Sequence, residues 1–146
     1  MLQNIFGVVE DNKGMELNIL LRFLMYGAFG WVLEVVWTGL HSLLRGDFSM
    51  RAQTSIWMFF IYGMFVVMEP FFALLAPWPF VVRGVIYMVG VFVVEYVVGR
   101  LMQQANICPW DYSDARTSVH GVIRLDYAPV WFSAGLMFEV LYGIIR

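Results

Sequence analysis

Four runs of apolar residues, each near the length that crosses a bilayer, constrain this chain more than any other feature. They extend from about Phe23 to Leu44, Ile56 to Ala76, Phe80 to Leu101 and Pro129 to Ile145. A hydrocarbon core needs roughly 20 residues of helix, and inside it the backbone must satisfy its own hydrogen bonds. Membrane-spanning strands alternate over about ten residues, and these runs do not alternate. The expected fold is therefore an all-α membrane protein, a four-transmembrane-helix bundle over residues 18–146 with a structured third connector. Composition agrees, with 61% hydrophobic and 14% charged residues against about 25% charged in soluble domains.

Residues 1–17, "MLQNIFGVVEDNKGMEL", lack the basic start and long apolar centre of a signal peptide. "EDNKG" is a turn signal, so this segment is expected to be a tail or an interfacial segment resting on Leu2, Ile5, Phe6, Val8 and Val9. A single cysteine, Cys108, excludes an internal disulfide framework. A net charge of -2 without a basic run argues against nucleic acid as a partner. The expected partners are the lipid bilayer and other membrane subunits or further copies of this chain. Four spans put both termini on one side. Lys13, Arg22, Arg83 and Arg146 fall there, and Arg45, Arg51, Arg100, Arg116 and Arg124 on the other. That bias leans toward cytoplasmic connectors one and three but is too small to fix the orientation.

Connector one, "RGDFSMRAQTS", ends in Thr54 and Ser55, which are good helix N-caps. Connector two, "APWPF", is short and stiff, so it joins an antiparallel hairpin. Helices one, three and four share a loose pattern in "GWVLEVVWTG", "GVFVVEYVVG" and "GLMFEVLYG". The common preference of packed membrane helices for glycine accounts for it better than an old duplication does.

Each span contains one glutamate: Glu34, Glu69, Glu95 and Glu139. A charge near the bilayer centre costs about 2.5–3.5 kcal/mol on insertion scales, so these side chains should face protein or water. Small residues flank them at helical spacing. Gly30 and Gly135 precede Glu34 and Glu139 by four positions, and Thr38, Ala73, Gly99 and Gly143 follow the four acids by four. That spacing shares a helix face and marks close helix contact. The tight second connector brings Glu69 and Arg83 to similar heights, which predicts a structural ion pair. Glu34, Glu95 and Glu139 then have only Arg100 as a nearby base. Protonation, a bound cation or amine, or a base from a partner subunit would each resolve the surplus; so would mutual hydrogen bonding that only fixes packing.

No histidine stands three residues after any of these acids, which disfavours a carboxylate-bridged metal bundle. His41 and His120 are two isolated histidines and make a weak case for haem or metal. No nucleophile elbow, phosphate loop, HExxH or CxxC occurs, so neither catalysis nor a cofactor is signalled.

Connector three contains the most polar stretch of the chain, "CPWDYSDARTSVHGVIRLDY". Trp110 and Tyr112 favour the membrane interface, and Asp111 and Asp114 suit Asx turns. His120-Gly121 suggests a turn, and Val122 to Leu125 a short extended piece on the bundle. Arg124 is expected to pair with Asp111 or Asp114, and Asp126 leads into helix four. The loop reads either as an anchored interfacial cap or as a roof that gates the acidic interior.

"YGAFGWVLEVVWTG", "TSIWMFFIYG", "CPWDYS" and "GVIRLDYAPVWF" together resemble the transmembrane protein 229 family and the related bacterial proteins labelled putative ABC-transporter type IV. The resemblance covers about residues 22 to 140. It implies four spans, and it matches Glu34 and Glu95 to acids that the family carries. Asp126 departs from the usual glutamate, and "DARTSVH" is particular to this chain. The resemblance brings no assigned activity, and any ATPase would be a separate chain. The expectation is a transport-like component that binds a ligand, cation or lipid. Its polar cluster is Glu34, Glu95, Glu139, Arg100, Trp110, Asp111, Tyr112, Arg124 and Asp126. The alternative is an accessory or assembly subunit of a larger membrane complex. A lipid-modifying enzyme using Asp111, Asp114 or His120 has only loop polarity behind it.

Overall fold

A computed structural model gives the architecture, and residues 18–146 are described with their side chains. The tail or interfacial segment expected at 1–17 lies outside the described residues. Helix α1 (Leu2–Leu44) is followed by α2 (Ile56–Gly63), α3 (Glu69–Leu75), α4 (Phe80–Gln104) and α5 (Ala128–Ile145), with strands β1 (Ser118–Val119) and β2 (Ile123–Arg124) in connector three. Four segments are long and apolar enough to cross a membrane: Asn18–Leu44, Ile56–Leu75, Phe80–Gln104 and Leu125–Ile145. The chain is a multi-pass integral membrane protein.

The second span is not the single helix expected from its apolar run. Pro70 has no N–H to give the carbonyl four residues back, and its ring crowds that carbonyl. The backbone before it tightens into a 3-10 turn over Met64–Met68, and α3 begins at Glu69. The division into two compact units falls here, between Met68 and Glu69.

In the first unit, α1 packs against α2 through reciprocal glycine–aromatic contacts. Gly27 faces Phe59, Gly30 faces the Tyr62 ring, and Gly63 faces Phe23. A methyl group at Gly30 would overlap Tyr62, so this approach needs glycine. The helix α1 stops in a Schellman motif: Asp47 N–H donates to the Ser42 carbonyl (3.1 Å) and Gly46 N–H to Leu43 (2.9 Å). Gly46 takes the left-handed conformation, φ 89°, that this ending needs. Connector one then folds back along α1. The Gln53 N–H donates to Thr38 Oγ1 (3.1 Å) and Trp31 Nε1 to the Ser55 carbonyl (3.0 Å). Ser55 caps α2, its Oγ accepting from the Trp57 N–H.

In the second unit, α4 and α5 interlock the same way, with Gly84 against Phe132 and Gly135 against Tyr87. Phe72 of α3 packs edge-on to Tyr87, ring centroids 5.1 Å apart, and Phe72, Tyr87 and Phe138 are buried. The helix α4 also ends in a Schellman motif: Ile107 N–H donates to the Met102 carbonyl, with Asn106 left-handed at φ 57°. Connector three returns through the β1–β2 hairpin, register Val119↔Ile123 and Ser118↔Arg124. His120 and Gly121 both have positive φ, and Val122 N–H donates to Val119 across the turn. That is type I′ geometry, whose twist suits a hairpin.

Candidate functional site

The hairpin and the "CPWDYS" stretch dock on α4 at Gly99. A Cβ there would meet Val122 at 2.9 Å and the Trp110 ring at 3.2 Å. Val122 is fully buried, and the Trp110 indole N–H donates to the Val122 carbonyl at 2.9 Å. The Tyr112 N–H donates to the Gly121 carbonyl at 2.8 Å. Both of these bonds close inside connector three. The anchor places Tyr112 one turn along from Gly99, where its side chain is hydrogen-bonded to Glu95.

Trp131 of α5 faces the same carboxylate, but its Nε1 and Glu95 Oε2 are both buried without a hydrogen-bond partner. Behind Tyr112 lies an aromatic row. Tyr112 packs edge-on to Tyr127 (5.8 Å) and Tyr127 to Trp131 (6.4 Å). The Arg124 guanidinium lies 4.3 Å from the Tyr127 ring centre and 6.0 Å from that of Tyr112.

Arg124 does not pair with Asp111 or Asp114 as expected. It forks onto Asp126, with Nε–Oδ1 3.0 Å and Nη2–Oδ2 2.5 Å, and Thr117 Oγ1 donates to the same carboxylate at 2.5 Å. The reason is local. The extended backbone at Arg124 runs into a 3-10 turn at Leu125–Tyr127, which turns residues 124 and 126 to one side. Asp126 and the aromatic rings raise the Arg124 pKa above its ordinary value. Asp111 makes an Asx turn instead, accepting from the Ser113 N–H (2.9 Å) and Oγ (2.5 Å). Those bonds lower its pKa below the usual aspartate value.

The expected ion pair of Glu69 with Arg83 is also corrected, because Arg83 Nε lies 3.2 Å from Glu139 Oε2 of α5. Glu69 precedes Ala76 by seven residues, about 10 Å of helix at 1.5 Å per residue. Arg83 lies one turn into α4 and donates Nη1 to the Ala76 carbonyl at 2.8 Å, which holds it near the connector. Glu139 therefore leaves the expected acidic cluster and becomes the structural acid. Arg100 is not beside Glu95 either; its Nη1 donates to Gln103 Oε1, one turn further on, at 3.0 Å.

Glu34 occupies a related setting in the first unit. Its carboxylate is hydrogen-bonded by Tyr62 of α2 and Thr54 of connector one, and Oε2 is buried without a partner. Tyr62 and Trp131 were not foreseen as site residues. Their signal was present: Tyr62 adjoins a glycine in "FFIYG", and Trp131 follows Tyr127 by four positions, one helical turn. Among the described residues no group of three or more His, Cys, Asp or Glu could hold a metal ion.

Four apolar spans, with two half-buried acids that are hydrogen-bonded by tyrosine hydroxyls rather than paired with bases, define a small polytopic membrane protein with polar positions inside its spans. The model of the family described as putative ABC-transporter type IV matches residues 21–145, and the chain belongs to that family. No solved structure matches it.

Proposed function

We propose that this protein is a transport-like membrane component that binds a cation or a cationic headgroup at each of two separate acids, Glu34 in the first unit and Glu95 in the second. One observation carries the reading. Each of these carboxylates is held by a tyrosine hydroxyl and keeps one buried oxygen without a hydrogen bond. A buried polar group left in that state costs about 1–3 kcal/mol, which a bound cation or proton offsets. Glu139, by contrast, has Arg83 as a fixed counter-charge and is assigned to structure. The family description supports a role in transport. Connector three supplies the contact to Glu95 through Tyr112, so the loop is the element that would open or close that acid.

The test is a thermal-stability titration of the detergent-solubilised chain with lithium, sodium, potassium and ethanolamine. At least one should stabilise the wild type, and the shift should disappear in Glu34→Gln or Glu95→Gln while both variants remain folded. Equal shifts in the wild type and both variants would remove both sites.

A second reading, an accessory subunit of a larger complex, has its own support. Only 11–17% of each span's most apolar window is buried within the chain, which leaves long faces for other helices. Stoichiometric co-purification with other chains after mild extraction would favour it.

A further inference from the structure

Beyond the intramembrane acids, we propose that connector three carries a second, outer site that takes an ammonium group in the recess between the end of α4 and the "CPWD" turn. The recess has a volume of about 270 Å³ and is lined by Gln103, Asn106, Cys108, Trp110 and Asp111. Three features of its wall select a cation.

Asp111 is exposed, and both bonds from Ser113 go to Oδ1. The carboxylate is thus fixed in orientation with Oδ2 still available. Those same bonds keep it ionised to lower pH than an ordinary aspartate. Trp110 lines the recess with its ring held by the N–H bond to the Val122 carbonyl, and tryptophan is the best side chain for a cation–π contact. Gln103 and Asn106, at the C-terminal end of α4, line the recess, and that end of a helix carries roughly half a negative charge. Gln103 is anchored between Arg100 and the His120 carbonyl, which keeps that wall in place.

A carboxylate, an aromatic face and a helix C-terminus are the surroundings an ammonium group needs. They do not suit a phosphate or a carboxylate. The recess lies just past Gln104, where the third span ends, at the level of lipid headgroups. Two sources share this chemistry: the headgroup of an aminophospholipid and a free amine in the water phase. A basic group stands next to the recess in Arg100, whose guanidinium bonds Gln103. A phosphodiester attached to the amine would meet it, and a free amine would not.

The experiment uses the full chain in nanodiscs made with either phosphatidylethanolamine or phosphatidylglycerol. Lipid retained after transfer to mild detergent is counted by mass, and free ethanolamine is titrated in parallel. The variants are Asp111→Asn and, as control, Asp47→Asn. Asparagine keeps the Oδ1 acceptor that Ser113 needs, so the turn survives while the charge is lost. Asp47 makes the same turn with Ser49 but does not line the recess, so its variant removes an equivalent charge elsewhere.

The expected result is selective retention of phosphatidylethanolamine, weakened about tenfold by Asp111→Asn, the size of one hydrogen bond to a charged group. Asp47→Asn should leave it unchanged. Stabilisation by free ethanolamine without lipid preference, again lost in Asp111→Asn, would support the site and assign it to a soluble amine. Equal retention of both lipids with no ethanolamine response would overturn the proposal. So would equal loss in both variants.

Discussion

The α1–α2 and α4–α5 pairs are built alike up to their connectors, and the connectors separate them. Each pair interlocks through glycine–aromatic contacts. In each, the first helix ends in a Schellman motif followed by an aspartate that turns onto a serine two residues later. Each holds one glutamate whose carboxyl is answered by a tyrosine. In the first pair that tyrosine, Tyr62, sits on α2 itself, and the short connector is pinned to α1 by Thr38 and Trp31. In the second it is Tyr112, on a long connector anchored by its own hairpin. Withdrawing Tyr62 means separating two helices, whereas withdrawing Tyr112 means only lifting a loop. The same chemical pair is held between two helices in one place and against a loop in the other, so only the Glu95 pair has a candidate gate.

The largest effect that would sharpen this comparison is expected at the Arg83–Glu139 pair that joins α4 to α5. Replacing Arg83 by alanine strands Glu139, and losing one partner of this half-buried pair costs about 2 kcal/mol, less than the loss from a fully buried pair. Chemical denaturation in detergent should show that loss, and Arg83→Met combined with Glu139→Leu should recover most of it. A single variant as stable as the wild type would return Glu139 to the list of functional acids.

Steric variants come next. Gly30→Val and Gly99→Val each push a side chain into a filled contact, at a cost of about 2 kcal/mol. The first should loosen α1 from α2. The second should instead lift the hairpin from α4, so limited proteolysis ought to cut within residues 105–127 while the helices stay intact. Equal cleavage patterns would mean that connector three is no more separable than connector one.

Removing the hydroxyls is gentler. Tyr62→Phe and Tyr112→Phe should each cost about 1 kcal/mol, one hydrogen bond. Hydrogen exchange should rise in connector three for Tyr112→Phe, with no matching rise in connector one for Tyr62→Phe. Similar exchange in both would break the distinction between gate and scaffold.

The smallest effect is expected from acid. Asp47 and Asp111 have pKa values lowered by their serine partners. Their contribution is complete above the ordinary aspartate range and fades as pH falls through the lower folded value. Amide exchange at Ser49 and Ser113 should therefore stay protected to below the usual aspartate midpoint and then accelerate. Asparagine at either position should abolish that dependence at its own serine only.

Much of this architecture is legible in the sequence, since runs of apolar residues leave few choices in lipid. The N-cap at Ser55, the turn at His120-Gly121 and the packing of Val122 and Ile123 all follow from local rules. Partner choice does not. Glu69 and Glu139 look equivalent as lone acids in apolar helices. Which one meets Arg83 depends on the heights set by Pro70 and by the Ala76 carbonyl that Arg83 uses. Arg124 had three aspartates within reach along the chain, and only the 3-10 turn at Leu125–Tyr127 selects Asp126. Tyr62 and Trp131 are ordinary span aromatics until the backbone fold puts an acid beside them.

The central claim is that Glu34 and Glu95 hold something other than a protein base. The most direct test is native mass spectrometry of the full chain after gentle extraction from its own membrane, compared with Glu34→Gln, Glu95→Gln, Asp111→Asn and Asp47→Asn. The account predicts a small added mass on the wild type and on Asp47→Asn that is absent from one or both glutamine variants. A chain of bare mass in every sample, or added mass that persists in both glutamine variants and disappears only in Asp111→Asn, would contradict it and leave both acids as packing residues.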